Sequence, residues 1–122
     1  MDYNPFSLAC KTILITGASS GIGRAIAIEC SRLDARVIIT GRDESRLAET
    51  LSMLKEGNHL SVSCDLNDKG QVAVMVSSLP QLDGFVANAG CNRRMLCQFI
   101  KEENLDVVMR TNLLSPILLT KA

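Results

Sequence analysis

The chain has 122 residues, 47% of them hydrophobic, with 13 basic and 13 acidic side chains that cancel. That is enough for one domain around one core, and with no basic block or stripe a nucleic-acid or anionic-membrane partner has no electrostatic support. No apolar run approaches the ~20 residues that span a bilayer, and the polar start, Met1 to Pro5, does not have the pattern of a secretory leader.

Apolar runs and helical patterns alternate along the chain. Lys11 to Thr16 (KTILIT) is short and β-branched and ends at a glycine, which predicts a buried strand. Apolar residues at 22, 25, 26, 30 and 33 predict one face of a helix over Ile22 to Leu33. Arg36 to Thr40 (RVIIT) predicts a second buried strand. Asp43 can cap the next helix, whose stripe is Leu47, Leu51 and Leu54 and whose stop is Gly57. Leu60 to Cys64 predicts a third strand, with Asp65 at its end and the single histidine, His59, at its start. Val72, Met75, Val76 and Leu79 form a further helical face, stopped by Pro80. Asp83 to Ala87 predicts a fourth strand, running into Asn88, Ala89 and Gly90. Leu105, Val108, Met109, Asn112 and Leu113 begin a last helical pattern that continues to Thr120. Strands alternating with helices at this spacing imply an α/β domain with a parallel sheet and right-handed crossovers.

The segment Thr16-Gly17-Ala18-Ser19-Ser20-Gly21-Ile22-Gly23 stands between the first strand and the first helix. A dinucleotide site needs a tight turn there, a backbone that approaches the pyrophosphate, and a helix N-terminus aimed at the anion. Gly17, Gly21 and Gly23 lack the Cβ that would hinder these, and Ser19 and Ser20 add hydroxyl donors. The five cysteines (Cys10, Cys30, Cys64, Cys91 and Cys97) are odd in number and spaced for neither a disulfide framework nor a metal site, which predicts reduced thiols in a cytoplasmic protein.

The Gly-x-x-x-Gly-x-Gly spacing of TGASSGIG resembles that of the short-chain dehydrogenase/reductase family. Asp65, with Leu66 after it, resembles the acidic residue that ends the family's third strand beside the adenine ring. Asn88-Ala89-Gly90 matches the family's Asn-Ala-Gly beside the adenine ribose, and Asn112 matches the helical asparagine of its catalytic tetrad. The resemblance implies a Rossmann-type doubly wound sheet, here of about four strands in the order 3-2-1-4, and a cofactor-binding role for Gly17, Ser19, Ser20, Gly21, Ile22, Gly23, Asp65, Leu66, Asn88, Ala89 and Gly90. It also implies hydride transfer between a nicotinamide cofactor and a small carbonyl or alcohol substrate, and a homo-oligomer for the intact enzyme. Cys10 and Asp34 stand where the family often has glycine, and Asp34 is expected to take the left-handed conformation that ends the first helix.

An acidic residue at the end of the second strand accepts hydrogen bonds from the adenosine ribose and repels a 2′-phosphate, whereas a basic one neutralises that phosphate. Thr40-Gly41-Arg42 offers no carboxylate at Gly41 and a guanidinium at Arg42, which predicts NADP(H) over NAD(H). The alternative is a solvated Arg42 paired with Asp43 or Glu44. If residues 105 to 120 are helical, Pro116 removes the hydrogen bond to the carbonyl of Asn112 and frees an acceptor there.

The family's Tyr-x-x-x-Lys and the serine of its fifth strand have no match. The one tyrosine, Tyr3, precedes the first strand and has Ser7 four residues on. The chain is therefore expected to be a single partial NAD(P)-binding domain over 1–122, lacking the catalytic C-terminal part and without turnover by itself. A non-catalytic dinucleotide-binding regulator and a non-functional remnant are the alternatives.

Overall fold

The computed structural model describes residues 4–90 together with residues 102, 103, 109 and 120. Four parallel strands, β1 (Thr12–Thr16), β2 (Arg36–Gly41), β3 (Leu60–Ser63) and β4 (Gly84–Val86), form one sheet in the order β3-β2-β1-β4. The helices α1 (Gly21–Arg32), α2 (Glu44–Met53) and α3 (Lys69–Ser78) connect them. This is the Rossmann-type α/β arrangement expected from the sequence. The expected last helix, with Asn112 and Pro116, lies outside the described residues except for Met109 and Thr120, both helical.

The two inner strands are buried because both their faces are covered. Ile15, Val37 and Ile39 pack on one face with Ala27 of α1 and Leu47 of α2. Their neighbours along the strands point to the other face, where Val62 and Phe85 pack with Met75 of α3. The register pairs Leu14 with Ile38 and Phe85, and Thr16 with Thr40. The pleat therefore puts Thr16 and Thr40 on the α3 face.

The buried face of α1 differs from the expected stripe. Gly23, Ala27 and Ser31 are buried, Ile26 and Cys30 are partly so, and Ile22 is 72% exposed. The helix lies so close to the turn before it that only small side chains fit, and an apolar count passes over glycine and serine. The end of α1 follows expectation: Asp34 has φ +73°, and the Ala35 amide returns to the Cys30 carbonyl at 3.0 Å. Cys10, the second position where the family often has glycine, has φ +65°.

Asp43 caps α2 by accepting from the Arg46 amide at 3.1 Å. The helix then ends at Met53, earlier than the expected stop at Gly57. Leu54 leaves in an extended conformation, packs against the core, and lets the Lys55 amide donate to Ser31 Oγ at 3.0 Å. No left-handed glycine is needed for that exit. His59 occupies the start of β3 as expected: Nδ1 accepts from the Val37 amide at 3.0 Å, and Nε2 faces the Lys55 carbonyl at 2.7 Å. The imidazole thus serves as a rung of the sheet just before the backbone pairing of β2 and β3 begins.

Candidate functional site

The carboxyl ends of all four strands open onto one cleft, the crevice where open α/β sheets bind ligands. Gly17 and Ser19 line it after β1, and Thr40, Gly41 and Arg42 at the end of β2. Cys64 to Asn67 follow β3, and Ala89 and Gly90 follow β4. Its cavity volume is about 140 Å³, below the ~300–1,000 Å³ typical of a complete small-molecule site.

The glycines of the turn have three different surroundings. Gly17 (φ +66°) faces β4: a Cβ there would lie 2.8 Å from Ala89 Cα and 3.1 Å from Asn88 Nδ2. Gly23 faces the turn itself, and its Cβ would lie 2.2 Å from the Gly17 carbonyl oxygen. Gly21 (φ +59°) faces open space, with nothing within 4 Å of the Cβ position. Two of the glycines thus let the protein close on itself, and the third leaves room outside it.

Hydrogen bonds hold this turn from two sides. On the β4 side, Asn88 Nδ2 donates to the Gly17 carbonyl at 3.2 Å. The Thr16 hydroxyl accepts from the amides of Asn88 and Ala89, both at 3.1 Å, and donates to the Val86 carbonyl at 3.4 Å. On the α2 side, Thr50 Oγ1 lies 2.8 Å from the Ala18 carbonyl, and Arg24 Nη2 donates to the Ser19 carbonyl at 2.6 Å. Arg24 Nε donates to Thr50 Oγ1 at 2.8 Å, which joins the two contacts.

The three helix N-termini differ in charge. Asp43 accepts from a backbone amide at the start of α2, and Asp68 accepts from the Gly70 and Gln71 amides at the start of α3. Ser20, at the start of α1, makes no side-chain cap bond, and the first turn of α1 has no acidic residue. Neither the cap nor the first turn of α1 thus brings a carboxylate to the partial positive charge of that terminus.

At the end of β2, Gly41 brings no carboxylate to the cleft. Arg42 is exposed and makes no ion pair among the described residues. The expected alternative partner, Asp43, turns instead to Arg46 at 3.6 Å. Asp65 Oδ1 accepts from the Asn67 amide at 3.0 Å, which shapes the loop after β3. Cys64 is buried beneath that loop, and burial, then the Asp65 and Asp68 carboxylates, push its thiol above the ordinary range. Among the described residues, no cluster of histidine, cysteine and acidic side chains could hold a metal ion, and no helix is long and apolar enough to cross a membrane.

Of the residues expected from the sequence, Gly17, Ser19, Arg42, Asp65, Leu66, Ala89 and Gly90 meet in the cleft. Ser20, Gly21, Ile22 and Gly23 form the start of α1, and Asn88 ties the turn to β4 without lining the cleft. Asn112 lies outside the described residues. Sequence reasoning missed Thr40, Cys64 and Asn67 as lining residues, and Arg24 and Thr50 as supports of the turn. Thr40 had a legible signal, since it is a polar residue in an otherwise apolar strand end.

Residues 11–122 match the short chain dehydrogenase family. The chain is 38% identical over 114 residues to the 3-oxoacyl-[acyl-carrier-protein] reductase FabG of Rickettsia felis, a match covering 93% of this chain and 47% of that protein. A solved short chain dehydrogenase/reductase family protein superposes with a TM-score of 0.89 at 30% identity, over 95% of this chain and 49% of the other. A structure described as a 2-deoxy-d-gluconate 3-dehydrogenase from Agrobacterium tumefaciens, with bound NADP, superposes with a TM-score of 0.85 at 33% identity, over 98% and 48%. The chain spans about half the length of the relatives it matches. The match over nearly the whole chain, together with the turn, the strand order and the cleft, means that this chain belongs to the short-chain dehydrogenase/reductase family of oxidoreductases.

Proposed function

We propose that residues 1–122 form a single partial domain that binds NADP(H) for an oxidoreductase acting on a small carbonyl or alcohol compound. The start of α1 carries this reading: no side-chain carboxylate caps it, and the space beside Gly21 is open. That arrangement fits a pyrophosphate, because backbone N–H groups and the helix dipole there favour an anion. Asp65 and Leu66 would border the adenine, and Ala89 and Gly90 the adenosine ribose. When bound, the nicotinamide gives or accepts a hydride. The part of this chain is to bind and orient the dinucleotide.

Arg42 favours NADP(H) over NAD(H). Its guanidinium is free of ion pairs among the described residues, Gly41 beside it carries no carboxylate, and the Asp43 carboxylate is engaged elsewhere. The bound NADP of the structural relative from Agrobacterium supports the same preference. Asn112 is read as the helical asparagine of the family's proton relay. With Tyr3 as the only tyrosine and no Tyr-x-x-x-Lys, these 122 residues by themselves bind nucleotide without turnover.

Isothermal titration with NADPH and NADH tests this. NADPH should bind the tighter, and Arg42→Ala should weaken NADPH by roughly tenfold, as expected for one charge-assisted contact, with little change for NADH. Equal affinities for the two, unaffected by the substitution, would refute the preference. Binding of neither would refute the site.

A further inference from the structure

We infer that Arg24 and Thr50 are positioning residues for the pyrophosphate site: they set the direction of the turn's backbone donors by holding its carbonyls on the opposite side. This rests on the dinucleotide reading above and adds to it two residues that lie outside the glycine motif and do not line the cleft.

In a trans peptide the C=O of one residue and the N–H of the next point in opposite directions across a rigid plane. The Ala18 carbonyl is fixed by Thr50 Oγ1 at 2.8 Å and the Ser19 carbonyl by Arg24 Nη2 at 2.6 Å. Both anchors lie towards α2. The amides of Ser19 and Ser20 belong to the same two peptide planes, so they are turned away from α2. Fixing two successive planes from behind therefore aims two successive donors without placing any side chain in front of them.

The anchor is itself held firmly. Thr50 is fully buried, and its hydroxyl also lies 3.1 Å from the Arg46 carbonyl. The Arg24 side chain is only 20% exposed, donates through Nε to Thr50 Oγ1, and reaches the Arg46 carbonyl at 3.3 Å and Glu49 at 3.5 Å. A forked guanidinium is suited to such a task, because its donors keep fixed angles to one another.

Charge supplies a second, independent observation. Arg24 stands in the first turn of α1, where the helix dipole already places partial positive charge and a cation is disfavoured. Glu49, its one ionic partner among the described residues, is 56% exposed and thus well solvated. The positive charge of Arg24 adds to that of the helix terminus, and a bound pyrophosphate relieves both.

The test compares ligands with and without a pyrophosphate on the full chain: NADPH, ADP and 2′-AMP. Arg24→Met keeps the length of the side chain and removes its donors. It should weaken NADPH and ADP by roughly tenfold, the loss of one charged hydrogen-bonding group, and leave 2′-AMP within about twofold. A merely structural role would weaken all three alike, and that result, or no change for any, overturns the inference. Should Arg24→Met be unfolded, Arg24→Lys decides by the same comparison, since it keeps the charge and loses the fork: selective loss for NADPH and ADP supports the inference, and uniform or absent loss overturns it. If the wild-type chain binds none of the three, the dinucleotide reading itself has failed.

Discussion

Adding one methyl group to Gly23 or to Gly21 should have opposite consequences for fold and for binding. At Gly23 the new Cβ would lie 2.2 Å from the Gly17 carbonyl oxygen, 2.8 Å from the Gly17 carbonyl carbon and 2.6 Å from Asn88 Nδ2. Two of these obstacles are backbone, so no rotamer change relieves them, and α1 must retreat from the turn. Overpacking of this kind costs ~1–3 kcal/mol, and displacing Asn88 from the Gly17 carbonyl adds ~1 kcal/mol. Helix propensity works the other way, favouring alanine by up to ~1 kcal/mol. The net expectation for Gly23→Ala is a loss of about 2 kcal/mol, or roughly 6–12 °C in Tm. At Gly21 the Cβ meets nothing within 4 Å. The cost there is only the left-handed backbone, ~1–2 kcal/mol, less the ~0.4–1 kcal/mol that alanine recovers by restricting the unfolded chain. Gly21→Ala should therefore lose about half as much stability or less, yet fill the space offered to the pyrophosphate and weaken NADPH binding. Thermal melts followed by far-ultraviolet circular dichroism, paired with NADPH titration, read both effects. If Gly23→Ala is as stable as the wild type, or if Gly21→Ala is the less stable of the two, the division of labour among the glycines is wrong.

Thr40 and Cys64 offer two further tests. Thr40 is 1% exposed, and its Oγ1 has no hydrogen-bond partner among the described residues. Thr40→Val keeps the shape and removes an unpaired buried hydroxyl, so it should raise stability by ~1 kcal/mol in urea unfolding; a loss of that size would mean that the hydroxyl is satisfied by bound water. Because the folded chain holds the Cys64 proton more tightly than the unfolded chain does, the associated stability is complete below the unfolded thiol's range near ~8.5 and is lost as pH rises through the folded value. The urea midpoint should fall on the alkaline side, less steeply in Cys64→Ala, with Cys30, also raised by burial, accounting for part of the remainder. Coincident profiles for the two proteins above that pH would exclude a contribution from Cys64.

The parts of the fold that were legible in the sequence are those set by local chemistry. Lys11 to Thr16 and Arg36 to Thr40 are read as strands from their β-branched runs and match β1 and β2 to within one residue, and Asp43 is read as a cap from its place before an apolar stripe. Asp34 was identified through the family's glycine at that place, and its φ of +73° shows why glycine is favoured there. What escaped depends on distance in space. The buried face of α1 was mistaken because Gly23 and Ser31 are selected for size against the turn and the exit of α2, which no hydropathy pattern records. Gly57 was assigned a stop that the extended Leu54 had already made. Arg24 and Thr50 are 26 residues apart, and nothing in either segment announces that they meet behind Ser19. The cleft divides the same way: Gly17, Ser19, Arg42, Asp65, Leu66, Ala89 and Gly90 meet in it as residues singled out from the sequence, whereas Arg24 and Thr50, which hold the turn from behind, were not singled out.

The hydroxyl of Thr16 links the sheet to the cleft. Past Val86 the backbones of β1 and β4 no longer pair residue by residue, and without Thr16 the Asn88 amide would keep only the Val86 carbonyl at 3.1 Å, while the Ala89 amide would have no acceptor among the described residues. One side-chain oxygen takes both, at 3.1 Å each. The two strands can therefore part company at that level with both amides paired, and the residues just beyond it, Gly17, Ala89 and Gly90, line the cleft. A single threonine thus marks the level at which the sheet stops being a sheet and the lining of the crevice begins.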